Sequence, residues 1–174
     1  RVATYAKFIG GRMGLAGKEI DDLEMAALFH DIGKIGVRLT VLHKEGGLDE
    51  KETSHMETHP VVGAEIVASL GSFNRLASYV RHHHEHFDGS GYPDAMRGED
   101  IPLCSRIVAV ADALDALVTD RPYRKASTLA EALGIIRAEA GARYDPDIVD
   151  ILVAEREALA ALAIDDFEVL PGTG

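Results

Sequence analysis

The 174-residue chain has one cysteine, no tryptophan and six prolines. With Cys104 alone an internal disulfide is impossible, which suits a reducing compartment, and the thiol reads as a packing group. No apolar run approaches the ~20 residues that span a bilayer, and the amino end lacks the charged, apolar and cleavage segments of a secretory leader. A cytoplasmic protein without membrane insertion is therefore expected. Positive charge is scarce too: 18 Lys and Arg stand against 29 Asp and Glu, a formal charge of −11. This excess of acid disfavours long nucleic acid as a partner but leaves room for a small phosphate ligand where cations concentrate. No stretch alternates with period two, and no low-complexity segment or repeat divides the chain. We expect one domain over residues 1–174. Since Arg1 opens directly into a helical pattern (Val2, Tyr5, Ile9), that domain is expected to be excised from a larger protein and truncated at its N-terminus.

Helical periodicity is present nearly everywhere, so the expected class is all-α. Leu23, Ala27 and His30 form a stripe, and Pro60 is placed at the first position of a helix carrying Val62, Ile66 and Leu70. Phe73, Leu76 and Val80 mark a face whose spacing continues to His83 and His84. Leu103, Ile107, Val110, Leu114 and Leu117 define a long core helix. Thr128 with Glu131 forms a capping box before Leu129, Leu133 and Ile136, and Asp145-Pro146 starts the last helix. Residues 37–48 and 87–101 read as loops, the second long enough to suggest function. Within it, Gly89 and Gly91 are expected to use glycine's access to positive φ.

The stretch HHHEHFDGSGYPD, residues 82–94, gathers imidazoles beside that loop. A lone histidine on an apolar stripe is normally a core residue, but His30, His59, His83 and His84 all lie at stripe ends, as do Asp31 and Asp112. Adjacent helical residues diverge by about 100°, so His30 with Asp31, or His83 with His84, suit two neighbouring ions or one ion near a helix end. Asp31 could bridge two metals through its two oxygens. Imidazole and carboxylate without thiolate favour Fe, Mn, Co, Ni or Zn over a structural zinc clip.

The blocks HDIGK (30–34), HPVVG (59–63), HHEHFDGSGYP (83–93), RIVAVADALDAL (106–117) and RPYRK (121–125) resemble, in order and spacing, the HD-GYP family. This is the bacterial branch of the HD metal-dependent phosphohydrolases that hydrolyses cyclic di-GMP. The resemblance implies an HD-superfamily helical bundle with a dinuclear metal centre in its core. It assigns His30, Asp31 and Asp112 to one divalent ion, and Asp31, His59, His83 and His84 to the other. Fe or Mn are favoured, with Zn, Co, Ni or Mg possible, and a bridging hydroxide acts as nucleophile. It makes Asp31 and Lys34 catalytic, Lys34 as a contact to the scissile phosphate, and assigns Gly91, Tyr92, Arg121 and Arg124 to substrate, with Lys125 an alternative to Arg124. Glu85 is supporting or structural, while His82, His86, His43 and His55 have no assigned role. Some family members carry a further Glu and His upstream of this Arg1, which would allow a third ion.

The expected activity is hydrolysis of cyclic di-GMP to pGpG, with further cleavage to GMP a property of part of the family. A diguanylate cyclase or a sensory or receiver domain is the expected protein partner. The competing reading is a non-catalytic cyclic di-GMP sensor or interaction module. A mononucleotide phosphohydrolase or di-iron oxygenase is a further alternative that the Gly-Tyr-Pro loop disfavours.

Overall fold

The computed structural model describes residues 1–71, 74–120 and 124–165, with side chains through residue 162. Its elements are helices: α1 (Val2–Arg12), α2 (Lys18–Phe29), α3 (Leu39–Leu42), α4 (Glu50–Met56), α5 (His59–Ser69), α6 (Asn74–Arg81), α7 (Leu103–Val118), α8 (Leu129–Ala138), α9 (Pro146–Ala154) and α10 (Arg156–Asp165). Short 3₁₀ segments span Ile32–Gly36 and Gly98–Asp100. The fold is all-α, as the periodicity predicts. Among the described residues there is no strand, and Ala140 and Tyr144 form an isolated bridge. Among the same residues no helix is long and apolar enough to cross a membrane.

The centre of the bundle is α7, packed against α1, α2, α8 and α9. Its Ile107, Val108, Val110, Ala111 and Leu114 are fully buried, and each large aliphatic side chain removed from water contributes about 1.5–3 kcal/mol. The pair of half-buried Arg106 and buried Asp145 ties α7 to the start of α9, where Asp145 also accepts from the Asp147 amide at 2.9 Å. The Thr128–Glu131 capping box forms reciprocally at the head of α8.

Several elements depart from expectation. The helix expected to begin at Pro60 opens one residue earlier, at His59, and its buried face is His59, Pro60, Gly63, Ala64 and Val67, with Leu70 exposed. Val62 and Ile66 are half-buried. Apart from Glu65 and Ser69 the helix is apolar on most of its surface, so periodicity chose its inner face only weakly. The choice falls to small residues, because a Cβ on Gly63 would stand 3.0 Å from Val80 Cγ1 and 3.2 Å from the Gly33 nitrogen. Asp145-Pro146 does not start the last helix, since the chain turns at Glu155 and α10 returns Leu159 to the core. Residues 37–48 contain the single turn of α3. Phe73 lies outside the described residues.

The 3₁₀ segment after Asp31 lies so close to α5 that a Cβ on Gly33 would come within 1.9 Å of the His59 carbonyl oxygen. Gly33→Ala is expected to cost about 1–3 kcal/mol of stability through this overlap. Gly36→Ala, whose Cβ would meet only the Val62 side chain at 3.2 Å, should cost less. Urea unfolding of the two variants checks the order.

Candidate metal centre

The histidines of interest follow one local rule. His30 sits just past α2 with Nδ1 2.7 Å from the Ala27 carbonyl, His59 follows α4 with Nδ1 2.8 Å from the Met56 carbonyl, and His83 follows α6 with Nδ1 2.6 Å from the Val80 carbonyl. Each acceptor lies in the last turn of a helix, where carbonyls lack intrahelical partners. Each ring therefore carries its proton on Nδ1, and in the neutral ring Nε2 carries a lone pair. His59 Nε2 and His83 Nε2 face each other at 3.4 Å, an approach of two lone pairs that no hydrogen bond explains in the neutral rings. His30 Nε2 is buried with no hydrogen-bond partner. Facing acceptors and an orphaned nitrogen are what a cation between them would satisfy.

The carboxylates complete the arrangement. Asp31 Oδ1 is 3.4 Å from His59 Nε2, while Asp31 Oδ2 is 3.5 Å from His30 Nε2 and 2.6 Å from Lys34 Nζ. Asp112 Oδ1, from α7, is 3.7 Å from His30 Nε2. Donor atoms of Asp31, His59, His83 and His84 all lie within 4.8 Å of one another. The His30 and His83 rings are 5.3 Å apart, edge to face, so the two groups adjoin. The divergence expected of neighbouring helical residues does not arise, because Asp31 opens the 3₁₀ segment and His83 and His84 lie in a turn beyond α6.

Burial and neighbouring imidazoles, His84 first, hold His83 far below the usual range, and burial with His59 and Lys34 nearby lowers His84 to about 3. His59 is lowered by burial. For His30, burial acts downward, but the Asp112 and Asp31 carboxylates outweigh it and the net shift is upward. For Asp112, burial acts upward, but His30, His83 and Lys34 together outweigh it and the net shift is downward. His59, His83 and His84 are thus held as neutral imidazoles beside anionic oxygen, a donor set suited to divalent first-row metals.

The loop after His84 is held in place by Glu85, a buried carboxylate that accepts from the Asp94 amide at 2.7 Å and the Met96 amide at 3.0 Å. Asp94 in turn binds Arg81 in bidentate fashion and His82 Nε2 at 2.9 Å, and these contacts, Arg81's first, lower its carboxyl to about 2. His86 contacts Ser90 Oγ at 2.9 Å. Tyr92 stacks on His84 with centroids 5.0 Å apart, and the Tyr92–Pro93 peptide is cis. Gly89 has φ +84° as expected, whereas Gly91 is required for space: a Cβ there would fall 2.2 Å from the His86 nitrogen.

Arg124 donates to the Ala116 carbonyl at the end of α7, and Lys125 pairs with Asp120 at 3.3 Å on the surface. Arg121, like Tyr123, lies outside the described residues. Beside the cluster is a cavity of about 350 Å³ whose lining includes His84, Asp112, Ala116, Glu139 and Arg143. Sequence reasoning missed Glu139 and Arg143. The available signal was the turn glycine Gly141 (φ +80°) and an Arg-Tyr pair directly before the Asp145 cap.

An all-helical frame gathering imidazoles and carboxylates at its helix ends defines a protein with a cluster that could hold a metal ion. The chain belongs to the HD domain family, matched over residues 1–148, and its sequence blocks resemble those of the HD-GYP group within that family. It is 44% identical over 163 residues to the cyclic di-GMP phosphodiesterase response regulator RpfG of Xanthomonas campestris, covering 91% of this chain and 43% of that protein. It is 37% identical over 171 residues to the 3′3′-cGAMP-specific phosphodiesterase 3 of Vibrio cholerae, covering 98% of this chain and 36% of the relative. The fold matches a crystal structure of a cyclic GMP-AMP-specific phosphodiesterase of V. cholerae with TM-score 0.73 at 22% identity, over 94% of this chain and 44% of that one. The chain thus spans less than half the length of these relatives.

The shifts set a pH dependence for the metal-free protein. His59, His83 and His84 are lowered in the fold, so between the unfolded value of about 6.5 and the folded value of about 3 for His84 the unfolded chain binds more protons. Their stabilising contribution is present above about pH 6.5 and is lost as pH falls, His30 acting in the opposite sense. Urea titrations in chelator at stepped pH should show this acid loss, with a shallower slope for His84→Gln.

Proposed function

We propose that this domain is a metal-dependent phosphodiesterase that hydrolyses a 3′,5′-phosphodiester of cyclic di-GMP to pGpG. The observation that carries the reading is Asp31, whose two oxygens face different buried histidines and so suit a ligand shared by two ions. His30, Asp31 and Asp112 would hold one ion, and Asp31, His59, His83 and His84 the other, with Fe or Mn best matched to the donors. Such cations would supply water that is nucleophilic at neutral pH and would offset charge on the phosphoryl oxygens.

The chain's own residues do the positioning. Lys34, held 2.6 Å from Asp31 Oδ2, presents an ammonium to a phosphoryl oxygen beside the cluster. Tyr92, stacked on His84, forms a wall of the groove, and Gly91 lets that wall approach. Arg121 and Arg124 remain the basic contacts to the rest of the ligand in this reading. The named activities of the relatives support cyclic dinucleotides as the substrate class. The setting is cytoplasmic, and a diguanylate cyclase or a sensory or receiver domain is the partner, consistent with a relative named as a response regulator.

Protein purified without oxygen and analysed for metal should convert cyclic di-GMP to pGpG when supplied with Mn²⁺ or Fe²⁺, as read by product chromatography. Asp31→Ala should lose more than the roughly 10- to 100-fold that removal of a partner behind a ligand costs. Tight binding of cyclic di-GMP with no metal-dependent product would reverse the conclusion in favour of a sensor.

A further inference from the structure

The relatives divide between cyclic di-GMP and 3′3′-cGAMP as named substrates, so the base this site reads is a question of its own. The cavity beside the metal ligands is about 350 Å³, near the lower bound of ~300–1,000 Å³ usual for ligand pockets, and suits one nucleoside better than a whole cyclic dinucleotide. Part of its lining is Ala109, Ala113 and Ala116 of α7. At that helical spacing they share one face and give an apolar surface with little relief, against which a planar base can lie. Glu139 and Arg143 also line the cavity.

These two residues sit on a built turn. The amides of Ala142 and Arg143 both donate to the Glu139 carbonyl, at 3.2 and 2.9 Å, and the Gly141 amide donates to the Tyr144 carbonyl at 2.8 Å. The turn is laced to the Gly-Tyr-Pro loop by Phe87 N to Arg143 O at 3.2 Å and Asp88 N to Ala142 O at 2.8 Å. Arg143 Nη1 and Glu139 Oε2 are 3.8 Å apart, longer than a hydrogen bond, so the pair leaves bonding capacity for a ligand.

We propose that Glu139 and Arg143 form a guanine-reading subsite beside the metal centre. Guanine presents N1–H and the N2 amino group as adjacent donors, which a carboxylate accepts together, and O6 with N7 as adjacent acceptors, which a guanidinium fork fits. The two edges meet at O6, matching a carboxylate and a guanidinium held side by side. Adenine lacks the N1–H and places an amino donor where the guanidinium needs an acceptor. The subsite rests on the cyclic di-GMP reading above and specifies which base it selects.

The test compares kcat/KM for cyclic di-GMP and cyclic di-AMP in the wild type, Glu139→Gln and Arg143→Lys, together with Kd values for GMP and AMP. A bidentate base contact supports about 10- to 100-fold discrimination, so each variant should lower the cyclic di-GMP to cyclic di-AMP ratio by that range. The wild type should bind GMP at least about 10-fold more tightly than AMP, and Glu139→Gln should erase the preference. Losses that fall equally on both dinucleotides, or equal GMP and AMP binding by the wild type, would overturn the subsite. A wild type that prefers GMP but turns over no cyclic di-GMP would instead defeat the phosphodiesterase reading and leave the subsite standing.

Discussion

A histidine that donates its Nδ1–H to the carbonyl three residues behind it, at the end of a helix, is the interaction on which the centre depends. It occurs at His30, His59 and His83, each bonded to a carbonyl in a final helical turn. One bond satisfies an exposed end of the helix, fixes the tautomer and aims Nε2 inward. Because α2, α4 and α6 all end toward the same interior point, the lone pairs converge there. The bundle needs only to bring those helix ends together, which Gly33 and Gly63 permit through the close approach of backbone to backbone.

That geometry explains why so much of the site could be read from residue order and why some could not. Leu103 to Leu117 and the Thr128–Glu131 cap declare themselves because a strong apolar period and a two-residue hydrogen-bond exchange are local properties. Helix α4 carries the same kind of cap, Asp49 with Glu52, yet has no buried residue and therefore no period to notice. The inner face of α5 is decided by glycine and alanine against a neighbouring element, and that neighbour is invisible along the chain. Glu139 and Arg143 stayed hidden for a related reason: their position depends on a turn closed by backbone bonds and on two more bonds to a loop about fifty residues earlier.

The histidine-rich run resolves into distinct duties once its turn is seen. His83 and His84 face the cluster, His82 grips Asp94, and His86 meets Ser90. Glu85, between them, serves as a buried acceptor for two loop amides. A segment with almost no regular structure is thereby held as firmly as a strand would be, using a side-chain carboxylate in place of a neighbouring backbone.

Such a tether changes what a ligand must do on arrival. A glycine-rich wall that sampled many shapes when empty would have to surrender that freedom on contact, and the entropy lost would weaken capture. Here Glu85 and Asp94 already tether the loop backbone, so if the loop lines the ligand site as proposed, less ordering entropy is left to lose on binding.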